Sequence, residues 1–199
     1  MTVGGPACPA CGRESARPSG EAHDLHFHRC LRCTLVFTHP QPRERVHRKY
    51  VDDYDLAQHF GQLAVRKRVL YEGRLALLPA PASGRDRLCD VGCADGQFLA
   101  LAATRGWRTS GIELNPPAAA AARATGAEVS IGLLEHLDDL PWGQFDLVTS
   151  WDVLEHTPEP RRFSERLVRL LAPGGTLAIT TLNYDSLVRR VFGWKWSMI

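Results

Sequence analysis

The stretch Leu88-Cys89-Asp90-Val91-Gly92-Cys93-Ala94-Asp95-Gly96-Gln97-Phe98-Leu99 leads a short apolar run into a glycine turn and then into a helical pattern. Such a strand-turn-helix brings the first peptide N–H groups of the helix to the turn. They have no partners within the helix there and can bind a ligand's polar groups. Small residues at Gly92, Ala94 and Gly96 let the backbone come close to that ligand. Glu113 closes the next strand, where a carboxylate can accept hydrogen bonds from both hydroxyls of a ribose. Spacing separates the candidate ligands. A dinucleotide fold uses G-x-G-x-x-G, which makes room for a pyrophosphate. Here Gly92 and Gly96 are four apart and follow Asp90; a carboxylate at the mouth repels a pyrophosphate and suits a ligand carrying a sulfonium and an ammonium. No Gly-Lys-Ser/Thr follows, so the run is not a Walker loop.

Outward from this segment, strands and helices alternate. Upstream, Leu63, Ala64, Leu70, Tyr71, Leu75, Leu77 and Leu78 recur near helical spacing, and Pro79 and Pro81 stop that helix. Downstream, residues 107–114 read as a second strand halted by Asn115-Pro116-Pro117, residues 117–124 as an alanine-rich helix, and 127–131 and 145–150 as further strands. Residues 160–171 put Phe163, Leu167, Leu170 and Leu171 on one helical face. Pro173-Gly174-Gly175 predicts a turn, 176–181 a fifth strand and 184–192 another helix. This order predicts an α/β fold: a Rossmann-like, doubly wound, mostly parallel sheet with right-handed crossovers.

The front of the chain differs. Cys8, Cys11, Cys30 and Cys33 form C-x2-C-x18-C-x2-C. Two cysteines three apart across a tight turn point both sulfurs at one ion, and two such knuckles complete a zinc tetrahedron around a ribbon hairpin. Four thiolates close the coordination sphere, so the expected role of Zn2+ is structural. His23, His26 and His28 read as hairpin or surface residues, and Cys89 and Cys93 as small buried ones. The predicted organisation is a zinc-ribbon-like module at 1–40, a linker and helical lead-in at 41–86, and a cofactor-binding domain at 87–199. Net charge is only +2, which gives no global case for nucleic acid, although residues 1–50 hold eight Lys/Arg against four Asp/Glu. No signal-peptide pattern and no apolar run of membrane-spanning length is present, so a soluble cytoplasmic protein is expected.

The segment 88–99 resembles motif I of the class I S-adenosylmethionine-dependent methyltransferases, D-x-G-C-G-x-G, with Ala94 at a position where glycine is commoner. FDLVTSWDVLEH (145–156) and LAPGGTLAITT (171–181) resemble that family's segments after strand four and before strand five. The resemblance covers about 87–183. The cysteine leader, followed by Tyr50 and Tyr54, is similar to the zinc-binding leader of a bacterial subset of these enzymes. It implies S-adenosyl-L-methionine as cofactor. Asp90 would order the turn and help hold the methionine end, Gly92, Ala94 and Gly96 would let the cofactor pass, and Glu113 would hold the ribose. Leu114 would pack on the adenine, Leu134 or Glu135 would border it, and Trp151 and Asp152 would face the methyl donor. His156 is the candidate base, with Asp152 beside it; alternatively His156 fixes its loop, or Asp152, Glu155 and His156 hold a divalent ion, as a similar E-x-x-E-H segment does in some quinone O-methyltransferases. Tyr50, Tyr54 and Tyr184 are candidates for the acceptor pocket.

The resemblance favours a small-molecule acceptor, a sugar or a natural-product intermediate. Two other readings stand beside it: an RNA methyltransferase that grips nucleic acid with the ribbon, and an inactive scaffold. Salt-dependent RNA binding would mark the first. Absence of S-adenosylhomocysteine binding would mark the second. Family members have seven strands and five are found here, while Val191-Phe192-Gly193-Trp194-Lys195-Trp196-Ser197-Met198-Ile199 reads like mid-protein sequence. A C-terminally truncated chain is therefore expected. Nothing in the sequence speaks to oligomeric state.

Overall fold

A computed structural model describes residues 5–42, 44, 48–52 and 64–193; Tyr54, Leu63 and 194–199 lie outside the described residues. The first part is an antiparallel ribbon of β1 (Ala16–Ala22), β2 (Leu25–Cys30) and β3 (Val36–Thr38), in the order β1-β2-β3. His23 and Asp24 turn the first hairpin, both with positive φ (51° and 62°), as a two-residue turn between twisted strands requires. Its core is small: Cys8, Ala16, Cys30 and Phe37.

The second part is a five-stranded parallel sheet. Its strands are β4 (Arg87–Val91), β5 (Arg108–Glu113), β6 (Glu128–Ile131), β7 (Phe145–Trp151) and β8 (Leu171–Thr180), in the order β6-β5-β4-β7-β8. Around it lie α1 (Ala64–Ala76), α2 (Gln97–Thr104), α3 (Pro116–Ala124), α4 (Pro160–Leu170) and α5 (Leu187–Phe192). The period-two alternation of β4 shows the layering. Leu88 packs with Leu75, Phe98, Leu99, Ala119 and Ala122 from α1, α2 and α3. Cys89 and Val91, on the other face, pack with Phe163, Leu167 and Leu170 of α4. Strand order reverses between β4 and β7, and in such sheets ligands bind beyond the carboxyl ends at that switch point. Among the described residues, no helix is long and apolar enough to cross a membrane.

The predicted elements are all present, with two corrections. The expected turn at Pro173-Gly174-Gly175 lies inside β8. There the register jumps from Phe145↔Leu171 to Leu147↔Thr176, so the segment bulges out of the strand rather than preceding it. Asp146, opposite the bulge, accepts from Arg85 Nε at 3.2 Å and from the Arg87 backbone N–H at 3.1 Å. In α1 only one side of the expected apolar set packs: Leu75 is buried, whereas Leu70 is 49% exposed and Leu77, beyond the helix end, is 88% exposed.

Candidate functional site

The glycine turn is tied to the end of β5. The N–H groups of Gly92 and Cys93 both donate to the Ile112 carbonyl, at 2.8 and 3.2 Å. Glu113 faces back onto the turn and accepts from the Ala94 N–H at 2.9 Å and from the Asn115 N–H at 2.8 Å. One amide on each carboxylate oxygen fixes the group's orientation and leaves lone pairs for further donors. The turn needs its small residues for internal reasons too. Gly92 and Gly96 have φ of +80° and +79°, and even Ala94 has a φ of +50°. A Cβ on Gly96 would lie 2.7 Å from Ala122 Cα, and one on Gly92 would run into Val153. No side chain caps α2 at Gly96.

Asp90 lies beneath the turn, 2% exposed, and accepts from Thr149 Oγ1 at 2.7 Å. That burial fits ordering of the turn, with an effect on a ligand through its charge rather than by direct contact. Burial pushes its pKa up to about 7, against the lowering effect of the Thr149 hydrogen bond and of Arg74. A carboxyl held near neutrality ionises readily when a cation arrives. The sign of its pH effect follows. The native state keeps a proton that the unfolded chain releases near 3.8, so stability falls as pH rises from about 4 to about 7. Asp90→Asn is expected to raise the melting temperature of the ligand-free protein at pH 8 by about 5 °C, with the gain shrinking toward pH 4. Thermal unfolding at the two pH values checks this; an equal or lower melting temperature at pH 8 would contradict it.

Arg74, from α1, was not legible as a site residue, yet it ties this end of the sheet together. Its Nη2 donates to Asp152 Oδ2 at 3.0 Å and to Thr180 Oγ1 at 3.3 Å, and Thr180 Oγ1 donates to Asp152 Oδ1 at 2.7 Å. Its guanidinium carbon sits 4.7 Å from the centre of the Trp151 ring, which also meets Phe98 edge-on at 5.2 Å. The Trp151 Nε1 atom is buried without a hydrogen-bond partner among the described residues. An orphaned buried donor beside a guanidinium suits a polar, anionic ligand group, such as the carboxylate of a methionine moiety. Asp152 holds a positive φ of 59°.

His156 and Tyr50 meet at a ring-centre distance of 4.9 Å. Asn115, itself 2% exposed, caps α3 through Oδ1 and donates from Nδ2 to the carbonyls of Tyr50 (3.2 Å) and Val51 (3.4 Å). A buried amide that uses both ends holds the helical turn Arg48–Asp52 against the β5 end. Burial pushes His156 down to about 4; Lys49 adds to the effect and Asp152 opposes it. Burial and the nearby Glu155 push Tyr50 up to about 12.

Other expectations fare differently. Leu134 is 2% exposed in the core with Cys89, Val91 and Ile112, which leaves it no surface to offer an adenine. Glu135 is buried and accepts from Thr157 Oγ1. Leu114 is half-buried. The alternative ion-binding set of Asp152, Glu155 and His156 does not come together. Among the described residues, the one group of three or more possible ligand atoms within 4.8 Å of one another is Cys8, Cys11, Cys30 and Cys33. Asp152 is engaged by Arg74 and Thr180, and Glu155 accepts from Thr181 Oγ1 at 2.9 Å.

The four cysteines fit zinc. Sγ–Sγ distances are 3.6 Å for Cys8–Cys33 and for Cys11–Cys30. A tetrahedron with Zn–S bonds of about 2.3 Å has edges of about 3.8 Å. The two knuckles share one backbone form. The Cys8 N–H bonds the Arg13 carbonyl and the Cys8 carbonyl takes the Gly12 N–H; Cys30 repeats this with Leu35 and Thr34. Gly12 and Thr34 both have positive φ, 71° and 63°.

A family model described as "Methyltransferase domain" matches residues 58–199. The chain is 37% identical over 103 residues to a ubiquinone biosynthesis O-methyltransferase of Xanthomonas oryzae pv. oryzae, covering 49% of this chain and 43% of that protein. A protein of the same name from Alkalilimnicola ehrlichii is 34% identical over 103 residues, covering 49% of this chain and 42% of its own length. The chain thus spans less than half the length of these curated relatives. Among solved structures, a putative methyltransferase in complex with the Haloferax volcanii Trm112 methyltransferase activator superposes with a TM-score of 0.53 at 25% identity, over 60% of this chain and 54% of that one. A geranyl diphosphate C-methyltransferase from Streptomyces coelicolor A3(2), solved with S-adenosyl-L-homocysteine, shares the fold with a TM-score of 0.52 at 16% identity, over 59% and 46%.

Proposed function

The chain belongs to the methyltransferase domain family, and from that premise we propose that it moves a methyl group from S-adenosylmethionine to a hydroxyl of a small-molecule acceptor, a sugar or another biosynthetic intermediate. The observation that carries this reading is Glu113, held by two backbone N–H groups across the glycine turn with lone pairs left over for a ribose. The curated relatives' name, an O-methyltransferase, favours oxygen as the accepting atom. When bound, S-adenosylmethionine supplies an electrophilic methyl group on a sulfonium. Glu113 holds the ribose hydroxyls. Arg74 and the free Trp151 Nε1–H receive the carboxylate end, and Asp90 below supplies the charge that favours the cationic end. Small backbone at Gly92, Ala94 and Gly96 lets the nucleoside lie close. The zinc site, with Cys8, Cys11, Cys30 and Cys33 as ligands, is structural.

His156 takes the proton of the acceptor hydroxyl at an imidazole nitrogen as the new bond forms. Burial pushes its pKa down to about 4, which keeps the ring unprotonated throughout the physiological range and lowers its basicity. Much of the remaining rate comes from alignment of acceptor and donor. With catechol as probe acceptor and labelled donor, His156→Gln is expected to lower kcat by about 100-fold while S-adenosylhomocysteine affinity stays within about twofold. Radiolabel transfer and calorimetry measure the two. An unchanged kcat would remove His156 as the base, and no detectable ligand heat from the wild type would remove the whole reading.

A further inference from the structure

Among the described residues, the ribbon meets the segment after β8 away from the glycine turn. Arg29, in β2 immediately before the zinc ligand Cys30, donates from Nη2 to Asp185 Oδ1 at 3.1 Å. Its guanidinium carbon lies 5.6 Å from the centre of the Tyr184 ring. Arg189 approaches the same ring at 4.2 Å and donates to the Tyr184 hydroxyl. One aromatic ring thus has guanidiniums from two parts of the chain against it, a favourable cation–π arrangement. The receiving turn is built for this. The Asp185 N–H bonds Asn183 Oδ1 at 3.1 Å, the Ser186 N–H bonds the Asn183 carbonyl at 3.0 Å, and Ser186 Oγ caps α5 by accepting from the Arg189 N–H at 3.2 Å.

This turn follows directly on β8. Thr181, two residues before Asn183, donates to Glu155 at 2.9 Å, and Glu155 neighbours His156. Two contacts joined by short stretches of chain therefore lead from the second knuckle to the loop that carries the proposed base: Arg29, next to Cys30, onto Tyr184 and Asp185, and Thr181, three residues before Tyr184, onto Glu155. We propose that the ribbon is a zinc-dependent strut for the acceptor wall, in which Arg29 holds the Tyr184–Asp185 turn and through it the 154–157 loop; the functional meaning of that wall rests on the reading of His156 above. Arg29 and Tyr184 are positioning residues and touch no reacting atom.

An exposed ion pair alone contributes little, because its partners roam. Here the adjacent residue is clamped by the knuckle, so Arg29 is presented at low entropic cost only while the knuckle is formed. Metal loading at one end thereby sets the order of a segment at the other, and an opening equilibrium of this kind is read by amide hydrogen exchange.

The test is hydrogen exchange by mass spectrometry on the full chain, zinc-loaded and after stripping with a chelator. In the wild type, stripping is expected to speed exchange of peptides covering 181–190 by about threefold or more. In Tyr184→Ala those peptides should exchange at the stripped rate even with zinc bound, while peptides covering 8–38 keep their zinc-dependent protection. Arg29→Ala should behave alike, with zinc stoichiometry unchanged. The strut is refuted if 181–190 is indifferent to zinc in the wild type, or if Tyr184→Ala retains the full zinc response. S-adenosylhomocysteine affinity of the same samples reads the cofactor assignment separately, since none of these residues lies at the glycine turn.

Discussion

Glu113→Ala is expected to weaken S-adenosylhomocysteine binding by about 100-fold or more. Two losses combine. A carboxylate that accepts from both ribose hydroxyls makes charge-assisted hydrogen bonds, each contributing about 1.5–3 kcal/mol. The same carboxylate also holds the turn, because the N–H groups of Ala94 and Asn115 bond its two oxygens. Alanine strands both donors in a half-buried place, at about 1–3 kcal/mol each, and frees a backbone whose Ala94 φ of +50° is already unfavourable. The ligand-free protein should therefore also melt several degrees lower. Glu113→Gln separates the two effects in part: its amide oxygen can satisfy one backbone N–H, but its NH2 group opposes the other. Calorimetric affinity and thermal unfolding of both variants provide the check. Affinity within threefold of wild type for Glu113→Ala would remove the ribose assignment, and with it the main support for a nucleoside lying over β4 and β5.

The place of Glu113 at the glycine turn was legible because several motifs stand in order and a carboxylate closes the strand after that turn; the structure sets its two oxygens on the Ala94 and Asn115 N–H groups. The cysteines were legible because spacing alone converges four sulfurs. Arg74 was not. It is one charge among several in an amphipathic helix, and only the folded chain shows that its guanidinium crosses to Trp151 and Asp152, some 78 positions away. Asn115 read only as the stop of the second strand; the structure shows that its Oδ1 also caps α3 by taking the Ala118 N–H. Its second task, holding Tyr50 and Val51, depends on a contact across 65 positions that no local pattern encodes. Leu134 and Glu135 show the limit of pattern near a strand end: both are buried, one in the core and one on Thr157, and neither its apolar nor its acidic character announced the direction it would face. The β8 bulge was hidden for a related reason. Pro-Gly-Gly signals a departure from regular strand but does not say whether the ladder resumes on the same strand.

Loss of the metal is expected to be the more drastic change for the first 40 residues. Among the described residues, the ribbon's packed cluster is Cys8, Ala16, Cys30 and Phe37, with Phe27 also buried, and two of these five are proposed ligands. Apolar burial by two phenylalanines and one alanine is worth roughly 5 kcal/mol, far below the conformational entropy of ordering three strands and two knuckles. Structural zinc supplies about 10–16 kcal/mol in comparable small modules, so it dominates the balance. Cys30→Ser is the sharpest probe, because Cys30 is fully buried, pairs with Cys11 at 3.6 Å and accepts the Arg32 N–H at 3.4 Å. A hydroxyl there ligates zinc poorly, and its shorter bond leaves the tetrahedron open. The expected result is a fall in bound zinc from about one per chain to about a tenth or less, with near-complete loss of exchange protection in peptides covering 8–38. The sheet domain has its own core on both faces of β4, so peptides covering 87–113 should keep their protection. A chelator applied to the wild type should reproduce the pattern, and added zinc should restore it there but not in Cys30→Ser. Full protection of 8–38 in metal-stripped wild type would mean that the four sulfurs cluster for packing alone, and the zinc assignment would fail.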